Sequence, residues 1–259
     1  MLRQEPVSRE TPFTPTSATV PELLAVADAR VFFAHQSVGH NILEALPKVY
    51  SDRDLSSPPI TTEMSEIPGE GGFIGHIEIG TNGDALGKIS QYEEMLRGGL
   101  ADKIDVAVLK LCFVDFNAAT DSAAVFESYR GAMTRLERDF PRVRFIYATS
   151  PLMADRDFYL RLKALLGRGQ EYDPSHNAAR ERFNALMRAE YGASGRLFDV
   201  AAIESAGLSG ALRYRTSATG EFLAMDPALT SDGGHLNSHG AALAANEWIA
   251  VVARALAEK

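Results

Sequence analysis

Short apolar runs of strand length alternate with segments of helical period along most of the chain. Arg30-Val31-Phe32-Phe33-Ala34 is a β-branched and aromatic run that predicts a buried strand, preceded by a short helical stretch around Glu22 to Ala27. His35-Gln36-Ser37-Val38-Gly39 follows at once, and Ile42, Leu43, Leu46 and Val49 then recur at helical spacing, so the unit reads strand, tight turn, helix. Ser56 to Gly75, rich in Pro and Gly, reads as loop, and the amphipathic stretch Ala85 to Leu96 as helix. Asp105 to Cys112 is nearly continuous in apolar residues, as a strand covered on both faces should be. A helix from about Ala123 to Asp139 leads to a strand over Arg144 to Thr149 that Pro151 ends. A helix over Asn177 to Tyr191, a short strand at Arg196 to Val200 and a helix over His239 to Leu256 complete the series.

Strands separated by helices imply crossover connections and a parallel sheet between two helix layers. The expected fold is α/β: a three-layer α/β/α sandwich around a mainly parallel, doubly wound, flavodoxin-like sheet. Such sheets bind ligands beyond the carboxyl ends of their strands. Two long excursions, Leu152 to His176 and Gly207 to Thr230, are expected on that rim as lids or specificity walls. Residues 1–20 read as a flexible leader and residues 21–259 as one domain.

Composition narrows the partners. With 259 residues, 46% of them hydrophobic, the chain can bury a full core. Its net charge of -8 disfavours nucleic acid, whose binding draws on clustered Lys and Arg. A lone cysteine, Cys112, excludes an intrachain disulfide and reads as a small core hydrophobe. Met1 to Val20 holds no apolar run long enough for a signal sequence or a span. The sequence as it stands reads as cytoplasmic, or as exported if a signal peptide has been removed; no membrane span is expected, and oligomeric state is left open.

Two clusters carry candidate chemistry. Ser37, after a buried strand and before a helix, is placed to expose its hydroxyl at the sheet edge, beside backbone N–H groups where an oxyanion would develop. Its plainer role is a helix cap. Asp232-Gly233-Gly234-His235 precedes the last helix, and a carboxylate three residues before an imidazole can fix its tautomer. The plainer role there is an Asx turn with a surface histidine. His239 stands four residues beyond His235, but no third ligand is evident, so no metal is expected.

Taken together, a serine after the first strand and an Asp-x-x-His before the last helix resemble the SGNH (GDSL-like) hydrolase superfamily, over about Val31 to Leu256. The resemblance implies Ser37 as nucleophile with Asp232 and His235 completing a triad. The first block, usually Gly-Asp-Ser, is here His35-Gln36-Ser37. The second falls on Asn82-Gly83-Asp84, implying the Gly83 N–H as an oxyanion donor beside that of Ser37, with Gly80 and Gly87 nearby. The third, usually Gly-x-Asn-Asp, falls on Cys112-Phe113-Val114-Asp115, so valine replaces an asparagine donor worth about 2.7 to 4 kcal/mol in the transition state. Asn117 or Gln36 fills that gap, or backbone alone does, or the enzyme is slow. Asp115 is expected to hold the rim loops or to be a simple turn residue, and Gln36 to support the site. Leu236-Asn237 and Gly240 resemble the usual continuation of the last block.

The implied activity is cleavage of carboxylic esters, acetyl or short acyl and including carbohydrate-linked ones, through an acyl-enzyme and without cofactor. The alternatives are an O-acyltransferase on a glycan and a non-catalytic binding module of the same fold. His40, His76 and His176 are polar candidates in or beside the rim, His40 reading mainly as helix surface. Phe158, Tyr159, Tyr172, Tyr214 and Phe222 are candidates for lining a sugar or acyl pocket, or for pinning the excursions to the domain.

Overall fold

A computed structural model describes residues 8–14, 16–63, 71–154, 174–207, 209–217 and 220–258. The strand run at residue 30 forms β2 (Arg30–His35), following β1 (Ser8–Pro12) and α1 (Val20–Asp28) in the chain. From Val31 to His35 every residue is buried, which explains the apolar run without alternation. Its two faces feed separate cores. Val31 and Phe33 pack with α1, α2 (Ser37–Ser51) and the last helix, α7 (Ser238–Ala257), where the Trp248 ring lies 5.7 Å from that of Phe33. Phe32 and Ala34 pack with α3 (Ala85–Met95), α4 (Ser122–Asp139) and α5 (Asn177–Tyr191).

The six-stranded sheet has the order β3-β4-β2-β5-β6-β7, with β3 (Ile60–Thr61), β4 (Phe73–Glu78), β5 (Val106–Leu109), β6 (Arg144–Ala148) and β7 (Leu197–Phe198). Every pair in it is parallel. From β2 the chain runs to the β3 edge, returns through β4, crosses to β5 on the other side of β2 and winds outward. The winding therefore reverses at β2, and a doubly wound sheet opens its ligand crevice at the carboxyl end of such a switch point. Ser37 lies there. The three-layer α/β/α expectation holds.

Four local expectations change. The section expected as loop contains β3 and β4; β4 is Phe-Ile-Gly-His-Ile-Glu, in which Gly75 and His76 hide a strand paired along its whole length with β2. The strand expected to reach Val200 ends at Phe198, and α6 (Val200–Ala206) starts behind an Asp199 cap. The second rim excursion is a hairpin, β8 (Ala211–Ser217) and β9 (Gly220–Leu223). Residues 8–12, expected in a leader, pair with β8 as β1, while Thr16 and Ala18 donate their N–H groups to Glu247 and Asn246 of α7. By length and composition α7 would span a membrane, but two-thirds of that window is buried, as in a core helix. Most of the first excursion, residues 155–173 with Phe158, Tyr159 and Tyr172, lies outside the described residues.

Candidate active site

β2 delivers its chain end straight into α2. Gln36 is the N-cap and Ser37 the first helical residue, so the cap role falls to a neighbour and the Ser37 hydroxyl is used elsewhere. Gln36 makes no side-chain cap bond, which leaves the first-turn N–H groups, that of Ser37 included, without a side-chain acceptor. Its amide nitrogen reaches away to the Ile79 carbonyl (2.6 Å), tying the serine turn to the end of β4.

The Asp232 turn arrives from the other end of the chain. Asp232 Oδ1 accepts the Gly234 and His235 N–H groups (2.9 and 2.8 Å), and Oδ2 meets His235 Nδ1 at 2.6 Å. A carboxylate only accepts, so Nδ1 carries the ring proton and Nε2 is left as the acceptor. That nitrogen lies 2.9 Å from Ser37 Oγ. Burial alone would raise the Asp232 carboxyl, but the His235 N–H, its ring and the Gly234 N–H outweigh burial and bring it down to about 2. It therefore stays ionised opposite the ring.

The turn is held from outside as well. Gly233, at φ +92, uses a conformation that favours glycine, and its carbonyl accepts the Ala154 N–H (2.9 Å). Asn41, on α2, accepts the Leu236 N–H through Oδ1 (3.2 Å). Phe113 meets the His235 ring edge-on, with centroids 5.8 Å apart. Behind it, fully buried Arg180 donates Nε–H to the Phe113 carbonyl (2.8 Å) and Nη1–H to Asn177 Oδ1 (2.7 Å). Asn177 in turn bonds both backbone groups of Met153, so the rim segments at Phe113 and Met153 are both tied to α5.

The opposite side of the serine differs from expectation. The Gly83 N–H donates to Asp115 Oδ1 (2.9 Å), so it is engaged rather than open to a substrate oxygen. Asp115 also accepts the Cys112 N–H (2.7 Å) and both of its oxygens accept from Lys88 Nζ (2.7 and 2.9 Å), an ion pair with no exposed side-chain surface. Asp115 thus clasps the two loops together, beyond a mere turn. Asn117 lies exposed, its Oδ1 accepting the Ala119 N–H in a local turn. Gln36, bonded to Ile79, is a support of the serine turn.

Among the other candidates, His40 is exposed on α2 and pairs with Glu44 (3.2 Å), while His76 bonds His35. His176 is partly buried beside α5, and Cys112 is a buried free thiol in the core. Tyr214 packs against the core from β8, and Phe222 is partly buried on β9. Among the described residues, no group of three or more His, Cys, Asp or Glu is placed to hold a metal. No motif marks Lys88, Arg180 and Asn177, yet each sits at a buried phase of its helix: Lys88 with Ala85, Ile89 and Tyr92, and Arg180 with Asn177, Phe183 and Met187. A charged residue on an apolar stripe was the available signal.

No family model matches the sequence, and no curated protein does. Solved structures do. The chain is similar to a protein assigned to the G-D-S-L lipolytic family from Desulfitobacterium hafniense (11% identity, TM-score 0.47, covering 86% of this chain and 99% of that one). It is similar to the periplasmic domain of a Salmonella Paratyphi A lipopolysaccharide acetyltransferase (12%, 0.46, 89% and 88%) and to phospholipase A1 from Streptomyces albidoflavus (10%, 0.42, 87% and 98%). The likeness is one of fold.

Proposed function

We propose that the protein is a serine hydrolase of the SGNH type acting on carboxylic esters, with Ser37 as nucleophile, His235 as general base and acid, and Asp232 as its partner. The observation that carries this reading is the unbroken line from Asp232 Oδ2 through the His235 ring to Ser37 Oγ, at 2.6 and 2.9 Å, between segments 198 residues apart. A helix-capping serine and a surface histidine have no reason to meet in this way.

His235 Nε2 takes the hydroxyl proton as Ser37 Oγ attacks the ester carbonyl, and the imidazolium formed is stabilised by ionised Asp232. The Ser37 N–H, in the uncapped first turn of α2, faces the developing oxyanion at the positive end of that helix. His235 then gives the proton to the leaving alcohol, and water, deprotonated by the same ring, releases the acid. With Gly83 engaged by Asp115 and valine at position 114, the oxyanion rests on fewer donors than the family pattern supplies. The substrates in this reading are acetyl and short acyl esters, carbohydrate-linked ones among them.

The test is turnover of p-nitrophenyl acetate by the wild type, abolished in Ser37→Ala with an unchanged thermal melt. A folded wild type with no turnover above background on acetyl to hexanoyl esters overturns the reading. Comparing donor consumption with and without added glycan separates hydrolysis from O-acyl transfer, since a transferase turns over poorly on water alone.

A further inference from the structure

The residues that replace the usual first block form a connected chain of their own. His35 is fully buried, and its Nδ1 lies 2.8 Å from the Gln36 carbonyl oxygen. A carbonyl only accepts, so Nδ1 carries the proton and Nε2 is the acceptor. His76 Nδ1, 3.0 Å from that Nε2, must then be the donor, and both tautomers are fixed. The same Gln36 oxygen accepts the Gly39 N–H at 2.7 Å. A Cβ on residue 39 would lie 2.4 Å from His35 Cβ and Cγ, so only glycine lets the ring lie this close to the first turn of α2. Burial drives His35 down to about 3 against the pull of its bond to Gln36, with Lys110, His76 and His40 lowering it further, so the ring is neutral at ordinary pH.

The Gln36–Ser37 peptide is trans, and in a trans peptide the C=O and the next N–H point in opposite directions across one rigid plane. Two donors on the Gln36 oxygen therefore fix where the Ser37 N–H points, and polarise it. Resting on the hydrolase reading, we propose that His35 and His76 are positioning residues, a relay from β4 through β2 that orients and strengthens the Ser37 N–H as the main oxyanion donor. The relay takes up the work of the donors that Val114 and the engaged Gly83 do not supply.

The test is a set of variants in the full chain. His35→Leu removes the donor to Gln36 and should lower kcat about 10- to 100-fold with KM within about twofold, because the interaction matters only once the oxyanion forms. Binding of a trifluoromethyl ketone, which forms the oxyanion adduct, should weaken in parallel. His35→Asn, whose amide N–H can reach the same carbonyl, should recover most of kcat. His76→Leu, at a half-buried ring, should cost about 3- to 10-fold. Wild-type kcat in His35→Leu, or equal losses in the Leu and Asn variants, overturns the relay. Should His35→Leu not fold, unchanged kcat in His76→Leu overturns it. A wild type without ester turnover sinks the hydrolase reading; an active wild type with indifferent variants sinks the relay alone.

Discussion

The two flanks of Ser37 are built in opposite ways. On one, Asp232 and His235 stand three residues apart, and the Asp232 carboxylate bonds the Gly234 N–H, the His235 N–H and the His235 ring within that single turn. On the other, Asp115 draws in Gly83 and Lys88 from 32 and 27 residues away and closes on a wholly buried ion pair. The flank expected to handle the proton brings Ser37, His235 and Asp232 into one line, whereas on the flank expected to stabilise charge the Gly83 N–H is taken by Asp115. A proton transfer needs three groups in one line. An oxyanion needs only donors aimed at one point, and several arrangements supply those.

The difference can be tested from each side. Ser37→Ala should lower kcat by about 10⁴- to 10⁶-fold and leave the unfolding midpoint in place, as measured by ester turnover and urea denaturation. Asp232→Asn should cost about 10⁴-fold, because a neutral amide no longer selects the tautomer that leaves Nε2 as acceptor; stability should again barely move. Lys88→Met inverts this pattern. It strands a buried carboxylate and should destabilise the fold by about 3–5 kcal/mol in urea, with kcat at low denaturant falling far less than in Asp232→Asn. If instead Lys88→Met matched Asp232→Asn in kcat at full stability, the separation of the flanks would be wrong.

The smallest effect concerns Glu204, a wholly buried carboxyl that accepts the Leu152 N–H at 2.6 Å. Burial raises it from 4.5 to about 8, although the Leu152 bond, Lys110 and Arg180 pull it down. With the folded value above the unfolded one, its protonated form stabilises the fold below about pH 4.5, and that contribution is lost as pH rises through 8. Buried Lys110, lowered by desolvation, acts in the opposite sense on the alkaline side. Stability should fall by on the order of 1–3 kcal/mol between pH 4.5 and 8, and Glu204→Gln should flatten that slope in denaturant titrations.

The layers of the fold were legible in the sequence wherever periodicity was strong. α5 runs over the expected residues, α4 and α7 differ from expectation by one residue at an end, and α2 covers the apolar positions Ile42, Leu43, Leu46 and Val49 that pointed to a helix. β4 was not legible, because a glycine and a histidine break its apolar run and its strand character comes from pairing with β2. The Asp232–His235 turn was readable because its hydrogen bonds are local. The engagement of Gly83 was not, since nothing near residue 83 announces a carboxylate arriving from residue 115. Position 114 did warn that this flank departs from the pattern, but valine could not say what had taken the place of asparagine.

If the imidazole beside it activates the Ser37 hydroxyl, reaction with a fluorophosphonate, followed by intact mass and peptide mapping, should give one adduct per chain, on Ser37, absent in Ser37→Ala and strongly slowed in His235→Ala. A folded protein that stays unmodified, or carries the label on another residue, contradicts that activation.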